Sequence, residues 1–284
     1  MKIIVTGATG FIGNYVVTEL CKHNLEVITS GIKQEEEVSY DWLEKVTYIQ
    51  ANLNEVRTDW FSFFGKPDML IHLSWQGLPN YSKLFHLGRN LQSNYLFIEN
   101  MVESGCKKIV VIGTCFEYGM QSGPLKEDLE TKPNNPYGLA KDSLRKFLEH
   151  LQNNTDFNLK WIRLFYLYGK GQGPNSILSK LASALERGDK SFNMSYGEQL
   201  RDYLPVEKVA EYLVKILLQE KVNGIINCCS GEPISIRKLV RYHLEKNQKS
   251  IGLNLGYYTY PDYEPMAFWG DNKKLRKILG NTES

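Results

Sequence analysis

The amino-acid sequence predicts an α/β fold: a doubly wound parallel sheet followed by a smaller C-terminal lobe. Three observations predict it. Strand-like and helix-like segments alternate with short connections up to about residue 166, as parallel strands joined by crossover helices do. Segments such as Lys108-Ile109-Val110-Val111-Ile112 and Met69-Leu70-Ile71 are apolar on both faces, which suits strands covered by helices on either side. The chain also opens with a strand that runs straight into glycines and then into a helical pattern.

The first strand, at about 2–6, carries Lys2-Ile3-Ile4-Val5. Thr6-Gly7-Ala8-Thr9-Gly10-Phe11-Ile12-Gly13 follows it, and Tyr15, Val16, Val17 and Leu20 set a helix over 11–23. Glycines spaced Gly-x-x-Gly-x-x-Gly permit a tight turn, let backbone approach a pyrophosphate, and allow close helix–strand packing. The N–H groups at the helix start then face the phosphates. Gly7, Thr9, Gly10, Phe11, Ile12 and Gly13 are therefore candidate cofactor-binding residues of a Rossmann-type domain. Further strands are expected at 25–30, 46–50, 68–73, 107–113, 158–166 and 224–228. Helices are expected at 88–104, 136–152, 174–188, 205–220, 235–246 and 271–279.

Past residue 166 the pattern loosens, and Tyr168-Gly169-Lys170-Gly171-Gln172-Gly173-Pro174 marks a boundary by its turn chemistry. Residues 1–165 are expected to form the dinucleotide-binding domain, with 202–228 returning to it. Residues 166–284 are expected to be mainly a substrate-binding lobe. Its aromatic segment, Tyr257 to Trp269, would lid the crevice at the carboxyl ends of the strands.

Composition narrows the class. A chain of 284 residues buries a large core. The net charge of +2 argues against a nucleic-acid partner held through a general basic field. No apolar run reaches the roughly 18 residues of a membrane span, and a strand starting at residue 2 leaves no room for a signal peptide. Five cysteines, with Cys228 and Cys229 adjacent, form an odd count without metal-ligand spacing. They read as reduced thiols, so the expectation is a cytoplasmic protein with no metal site and no membrane partner.

Tyr137-Gly138-Leu139-Ala140-Lys141 places a phenol and an ammonium four residues apart, on one helix face. Asn135 and Pro136 before it suit a helix cap and a first helical position. Tyr137 then lies in the first turn, where the helix dipole favours an anion. Together with Lys141 and an oxidised nicotinamide, this is expected to lower its pKa toward working pH. The spacing recurs in Tyr166/Lys170 and Tyr242/Lys246. The first of these straddles a strand end, and the second lies on a highly charged late helix. Only Tyr137 follows a strand that ends in a hydroxyl residue: Thr114, in Gly113-Thr114-Cys115-Phe116-Glu117-Tyr118-Gly119. A threonine there can hold a substrate oxygen beside the phenol.

The glycine motif, Thr114, Tyr137 and Lys141, in this order, resemble the extended short-chain dehydrogenase/reductase superfamily. Arg163-Leu164-Phe165-Tyr166-Leu167-Tyr168-Gly169 and Arg201-Asp202-Tyr203 are similar to motifs of its branch acting on nucleotide-activated sugars. The resemblance implies Thr114, Tyr137, Lys141 and Asn94 as catalytic residues, with Asn94 supporting a proton relay and Arg201 clamping a nucleotide diphosphate. Trp75, Thr114, Tyr166, Asn175 and Arg201 fall on the implied substrate side. Trp75 can stack on a ligand or simply pack under its loop. Leu73 and the adenine-side pair Asn52-Leu53 join the cofactor set. His72 and His86 read as structural.

Departures from the pattern refine the reaction. Dehydratases of the superfamily carry Asp-Glu after the threonine, where this chain has Cys115 and Phe116. NAD-specific members end the second strand with an acid, where this chain has Gly31. Without that carboxylate a 2′-phosphate is not repelled, and Ser30 and Lys33 can contact it. NADP is therefore expected, with NAD as the alternative. The resemblance implies NADP-dependent reduction of a nucleoside-diphosphate-linked 4-keto-6-deoxy sugar. An NAD-dependent 4-epimerase is the runner-up, and a catalytically silent dinucleotide sensor is a third reading. It also implies a homodimer formed by helices 88–104 and 136–152. Leu144, Leu148 and Leu151 can serve either that interface or the chain's own sheet.

Overall fold

The computed structural model describes residues 1–280. Its first strands are β1 (Lys2–Thr6), β2 (Glu26–Gly31), β3 (Thr47–Gln50), β4 (Met69–His72), β5 (Lys108–Thr114), β6 (Gly123–Leu125) and β7 (Asn158–Leu164). Then come β8 (Tyr166–Tyr168), β9 (Ser191–Asn193), β10 (Leu200–Pro205), β11 (Gly224–Cys228), β12 (Pro233–Ser235), β13 (Gly252–Asn254) and β14 (Phe268–Gly270). The helices are α1 (Phe11–Leu20), α2 (Trp60–Phe63), α3 (Arg89–Glu103), α4 (Pro136–Leu151), α5 (Ile177–Glu186), α6 (Val206–Leu218), α7 (Ile236–Lys246) and α8 (Lys273–Leu279).

Seven parallel strands build the central sheet in the order β11-β7-β5-β4-β1-β2-β3. The winding reverses between β1 and β4, and in such sheets a crevice opens beyond the carboxyl ends at that point. Each central strand feeds two cores. Ile3 and Val5 pack with Val16, Val17 and Leu20 of α1 and Val209 and Leu213 of α6. Ile4 packs in the opposite layer, with Phe97 and Ile98 of α3 and Leu144 and Leu148 of α4. Period-2 alternation with both faces covered is what the apolar runs required. Leu144, Leu148 and Leu151 thus face the chain's own sheet.

The expected strand 158–166 is two strands. β7 stops at Leu164, and β8 leaves the main sheet to pair with β10 in the small sheet β12-β10-β8. The helix expected from 174 begins at Ile177, where Ser176 accepts a hydrogen bond from the Ser179 amide at 3.2 Å. The glycines and Pro174 ahead of it disfavour helix. β10 was not anticipated, because Arg201 and Asp202 look like solvent-facing residues. They are 2% and 0% exposed. Asp202 accepts from the Ser230 amide and hydroxyl, each at 2.7 Å, and from the Gly231 amide at 2.9 Å. No helix among the described residues is long and apolar enough to cross a membrane.

Candidate active site

The glycine turn is dictated by contact. Gly7 has φ +71°, and a Cβ on it would lie 2.8 Å from the Ser74 amide nitrogen. A Cβ on Gly13 would lie 2.2 Å from the Gly7 carbonyl oxygen. Gly10 caps α1 without any side chain, which leaves the first amides of the helix open to an external acceptor. Gly7, Gly10, Phe11, Ile12 and Gly13 line a cavity of about 2020 Å³. Leu73, Trp75, Thr114, Tyr137, Lys141, Tyr166, Asn175 and Arg201 line the same cavity. A cradle that any Cβ would fill, at a helix N-terminus, fits the pyrophosphate of a dinucleotide.

Thr9, Ser30, Lys33, Asn52, Leu53 and Asn94 are not part of that wall. The Thr9 side chain fills the space beside Gly31: a Cβ there would lie 2.6 Å from Thr9 Oγ1 and 3.1 Å from the Tyr48 phenol oxygen. A side chain at the end of β2 would have to displace that of Thr9. Ser30 is buried at the end of β2, outside the residues that line the cavity. Lys33 is exposed, and its carbonyl accepts from the Tyr48 hydroxyl at 2.7 Å. Asn52 accepts from Gln76 Nε2 at 3.1 Å, and Leu53 packs in the core beside Trp60.

Asn94 is also placed differently from the relay expectation. Its Oδ1 accepts from His72 Nε2 at 2.6 Å, and its Nδ2 donates to the Asn90 carbonyl at 2.6 Å. His72 Nδ1 meets the Thr6 hydroxyl at 2.9 Å. Burial pushes the His72 pKa down to about 3, so the ring is neutral and Asn94 fixes its tautomer. His86 is equally tied, accepting from Trp75 Nε1 at 3.0 Å and pairing with the Asn80 carbonyl at 3.1 Å.

α4 starts where its sequence says. Asn135 accepts from the Gly138 amide at 2.9 Å, and Pro136 occupies the first helical position. Tyr137, 7% exposed, lies among the rings of Tyr81, Phe116, His86 and Trp75, with centroids 5.4 to 6.3 Å away. Desolvation by these rings raises its pKa well above the usual phenol value. Tyr81, Glu117 and Cys115 add to this, while hydrogen bonding to Thr114 opposes it. The expected lowering was for the phenol beside a bound oxidised nicotinamide; in the chain alone the aromatic rings push its pKa the other way.

Lys141, 2% exposed, donates from Nζ to the Ile112 carbonyl at 2.8 Å and lies 3.9 Å from the Trp75 ring centroid. Trp75 therefore covers the ammonium by a cation–π contact. Burial pushes the Lys141 pKa down to about 7, and Glu117 pulls it upward.

Arg201 lines the cavity with its donors already engaged. Nη2 and Nε reach Glu264 Oε2 at 2.7 and 3.2 Å, and Nη1 reaches the Leu200 and Met266 carbonyls at 2.9 and 3.3 Å. Tyr166 donates to the other oxygen of Glu264. Arg201 is thus paired with Glu264 at the cavity wall, so a diphosphate there would compete with that carboxylate. Glu264 gave no sequence signal, since its partners lie about 63 and 98 residues away. Glu117 was equally missed, although Thr114-Cys115-Phe116-Glu117 has capping-box spacing. Thr114 caps the 3-10 turn Cys115–Tyr118, and Glu117 Oε1 accepts from the Thr114 amide at 2.8 Å.

Fold and crevice together define an enzyme of the dinucleotide-binding Rossmann class. The pattern of the NAD dependent epimerase/dehydratase family matches residues 3–229, and the chain belongs to that family. The resemblance to extended short-chain dehydrogenases/reductases holds with it. Over 273 residues the chain is 33% identical to dTDP-6-deoxy-L-talose 4-dehydrogenase (NAD(+)) of Aggregatibacter actinomycetemcomitans, covering 95% of this chain and 99% of that protein. It is 24% identical over 266 residues to dTDP-4-dehydro-6-deoxyglucose reductase of Escherichia coli, covering 88% and 83%. MoeE5 in complex with UDP-glucuronic acid and NAD shares the fold, with a TM-score of 0.83 at 22% identity over 100% of this chain and 94% of that one.

Proposed function

We propose that the enzyme interconverts a keto and a hydroxyl group at carbon 4 of a nucleoside-diphosphate-linked 6-deoxy sugar, with reduction as its forward direction. A 4-dehydrogenase and a 4-keto reductase run one reaction in opposite senses, so both curated relatives support this chemistry. The observation that carries this chemistry is the placement of Tyr137 and Thr114 in the wall that also holds the glycine turn. The same phenol serves either sense, donating its proton in reduction and accepting one as phenolate in oxidation.

The nicotinamide cofactor supplies hydride when bound. Tyr137 donates a proton to the sugar oxygen, Thr114 holds that oxygen, and Lys141 carries the ammonium for the nicotinamide ribose. The aromatic wall of Trp75, Tyr81 and Phe116 excludes water. Cys115 and Phe116 bring no carboxyl for elimination of water. The cofactor half comprises 1–165 with 202–228 and α8, whose Leu275 packs in the same core as α1 and α6, and the substrate lobe comprises most of the rest of 166–272.

NAD is the cofactor we assign. Ser30 lies outside the cavity wall, and Glu35, Glu36 and Glu37 place three carboxylates just beyond Lys33. NADP is the second reading, favoured by the bare Gly31. Two copies of the chain are proposed to pair through α3 and α4. Tyr137→Phe tests the site: turnover is expected to fall by about 10²- to 10⁴-fold while NADH affinity is retained. Unchanged turnover removes Tyr137 from the reaction.

A further inference from the structure

The loop after β4 holds an indole over the charged end of Lys141, and the groups that fix that indole are buried. Lys141 Nζ lies 3.9 Å from the Trp75 ring centroid and donates to the Ile112 carbonyl at 2.8 Å. An ammonium has three donors. One meets the carbonyl and the indole face covers another side, which leaves a donor for the cavity that both residues line.

Hydrogen bonds set the place of Trp75. Its Nε1 donates to His86 Nδ1 at 3.0 Å, and the two ring planes lie 18° apart. His86 therefore carries its proton on Nε2, which donates to the Asn80 carbonyl at 3.1 Å. Asn90 of α3 donates to the Gln76 carbonyl at 2.8 Å and to His86 Nδ1 at 3.3 Å. The Asn90 carbonyl accepts from Asn94 Nδ2, and Asn94 Oδ1 accepts from His72 Nε2, both at 2.6 Å. His72 Nδ1 accepts from the Thr6 hydroxyl at 2.9 Å. His72, His86, Asn90 and Asn94 are each 5% exposed or less. A buried polar chain bonded throughout is rigid, because a freed donor or acceptor loses its partner without regaining water. This one runs from the end of β1, where the glycine turn begins, to the indole over the lysine.

We propose that Trp75 is a positioning residue of the reaction: the face of its indole holds the Lys141 ammonium where the nicotinamide ribose meets it. This rests on the carbon-4 reading, which gives Lys141 that partner. A tryptophan face attracts a cation through its quadrupole, and more strongly where water is absent. Lys141 is 2% exposed, so the ring stands in for water that an ammonium otherwise binds. Trp75 also lies edge-on to Tyr137, with ring centroids 6.1 Å apart. One ring thus borders both members of the Tyr137/Lys141 pair. A phenyl ring keeps such a face, and an aliphatic side chain lacks it.

That difference gives the test. Trp75→Phe and Trp75→Leu are made in the full chain and in Lys141→Met. Affinity for NAD is measured by calorimetry at about pH 6, below the value of about 7 to which burial brings the lysine. Both substitutions remove the indole N–H, so the ring face is what separates them. With Lys141 present, Trp75→Phe is expected to bind NAD within about threefold of wild type, and Trp75→Leu about tenfold or more weakly. In Lys141→Met the two are expected to bind alike, because the cation that tells them apart is gone. With the keto-sugar, Trp75→Leu is expected to lose kcat while the KM for the sugar stays within about twofold. Equal affinity of the two variants with Lys141 present, or a difference that persists in Lys141→Met, overturns the proposal. So does an effect confined to the KM for the sugar, which is what a ring stacked on that ligand would give. Should Trp75→Leu fail to fold, Trp75→Met takes its place under the same criteria. Wild type that binds NAD yet reduces no keto-sugar contradicts the carbon-4 reading alone, because the comparison is read from binding.

Discussion

Burial holds Tyr137 in its neutral form and sets Lys141 against its usual charge. The phenol is pushed up and the ammonium down to about 7, so their protons respond to what occupies the crevice. Between pH 7 and 10.5 the unfolded chain binds a proton at Lys141 that the folded chain does not. Stability contributed at this position therefore rises with pH across that window. Accordingly, the melting temperature of wild type relative to Lys141→Met is expected to climb as pH goes from 7 to 10, measured by calorimetry without cofactor. A flat or falling difference contradicts the depressed lysine. These side chains were legible in sequence because the helix start, the four-residue spacing and the strand-end hydroxyl are local signals. Glu117 and Glu264 were not. Their partners come from distant segments, and sequence patterning treats a glutamate as solvent-facing. The desolvation of Tyr137 was not legible for the same reason, since the rings around it come from separate segments.

α3 and α4 show how an element divides its residues between two uses. Leu144, Leu148 and Leu151 turn inward to the sheet, while Leu139 and Phe147 of α4 and Leu96 of α3 are 42%, 46% and 51% exposed. Tyr95 and Phe147 meet edge-on at 5.7 Å across the two helices. Apolar side chains on adjoining helices are the surface on which the proposed pairing of two copies relies. Phe147→Glu is expected to convert a dimer to a monomer in sedimentation velocity at micromolar concentration, with the fold retained. A monomeric wild type, or a Phe147→Glu dimer, contradicts that interface. The helices themselves were legible to within three residues at most ends, because apolar periodicity and caps are strong over ten or more positions. The short strands β6, β8, β9, β10 and β12 to β14 were not. Segments of three to six residues carry too little periodicity, and in β10 buried ion pairs disguise it.

The whole molecule converges on the reversal of winding between β1 and β4. There the glycine turn, the start of α4 and the end of β5 share one cavity, although the glycine turn lies about 100 residues or more before the other two in sequence. The sheet was legible because each buried strand announces itself by a two-faced apolar run. The enclosure of the substrate side was not, since it depends on segment 258–264 meeting Tyr166 and Arg201 from far along the chain. The most direct measurement uses NADH carrying deuterium at the transferable position with a nucleoside-diphosphate 4-keto-6-deoxy sugar, read by mass spectrometry and proton NMR. One deuterium at carbon 4 of the product for each NADH oxidised is the expected result. Sugar inverted at carbon 4 with no net oxidation of cofactor, or no label in the sugar, would contradict it.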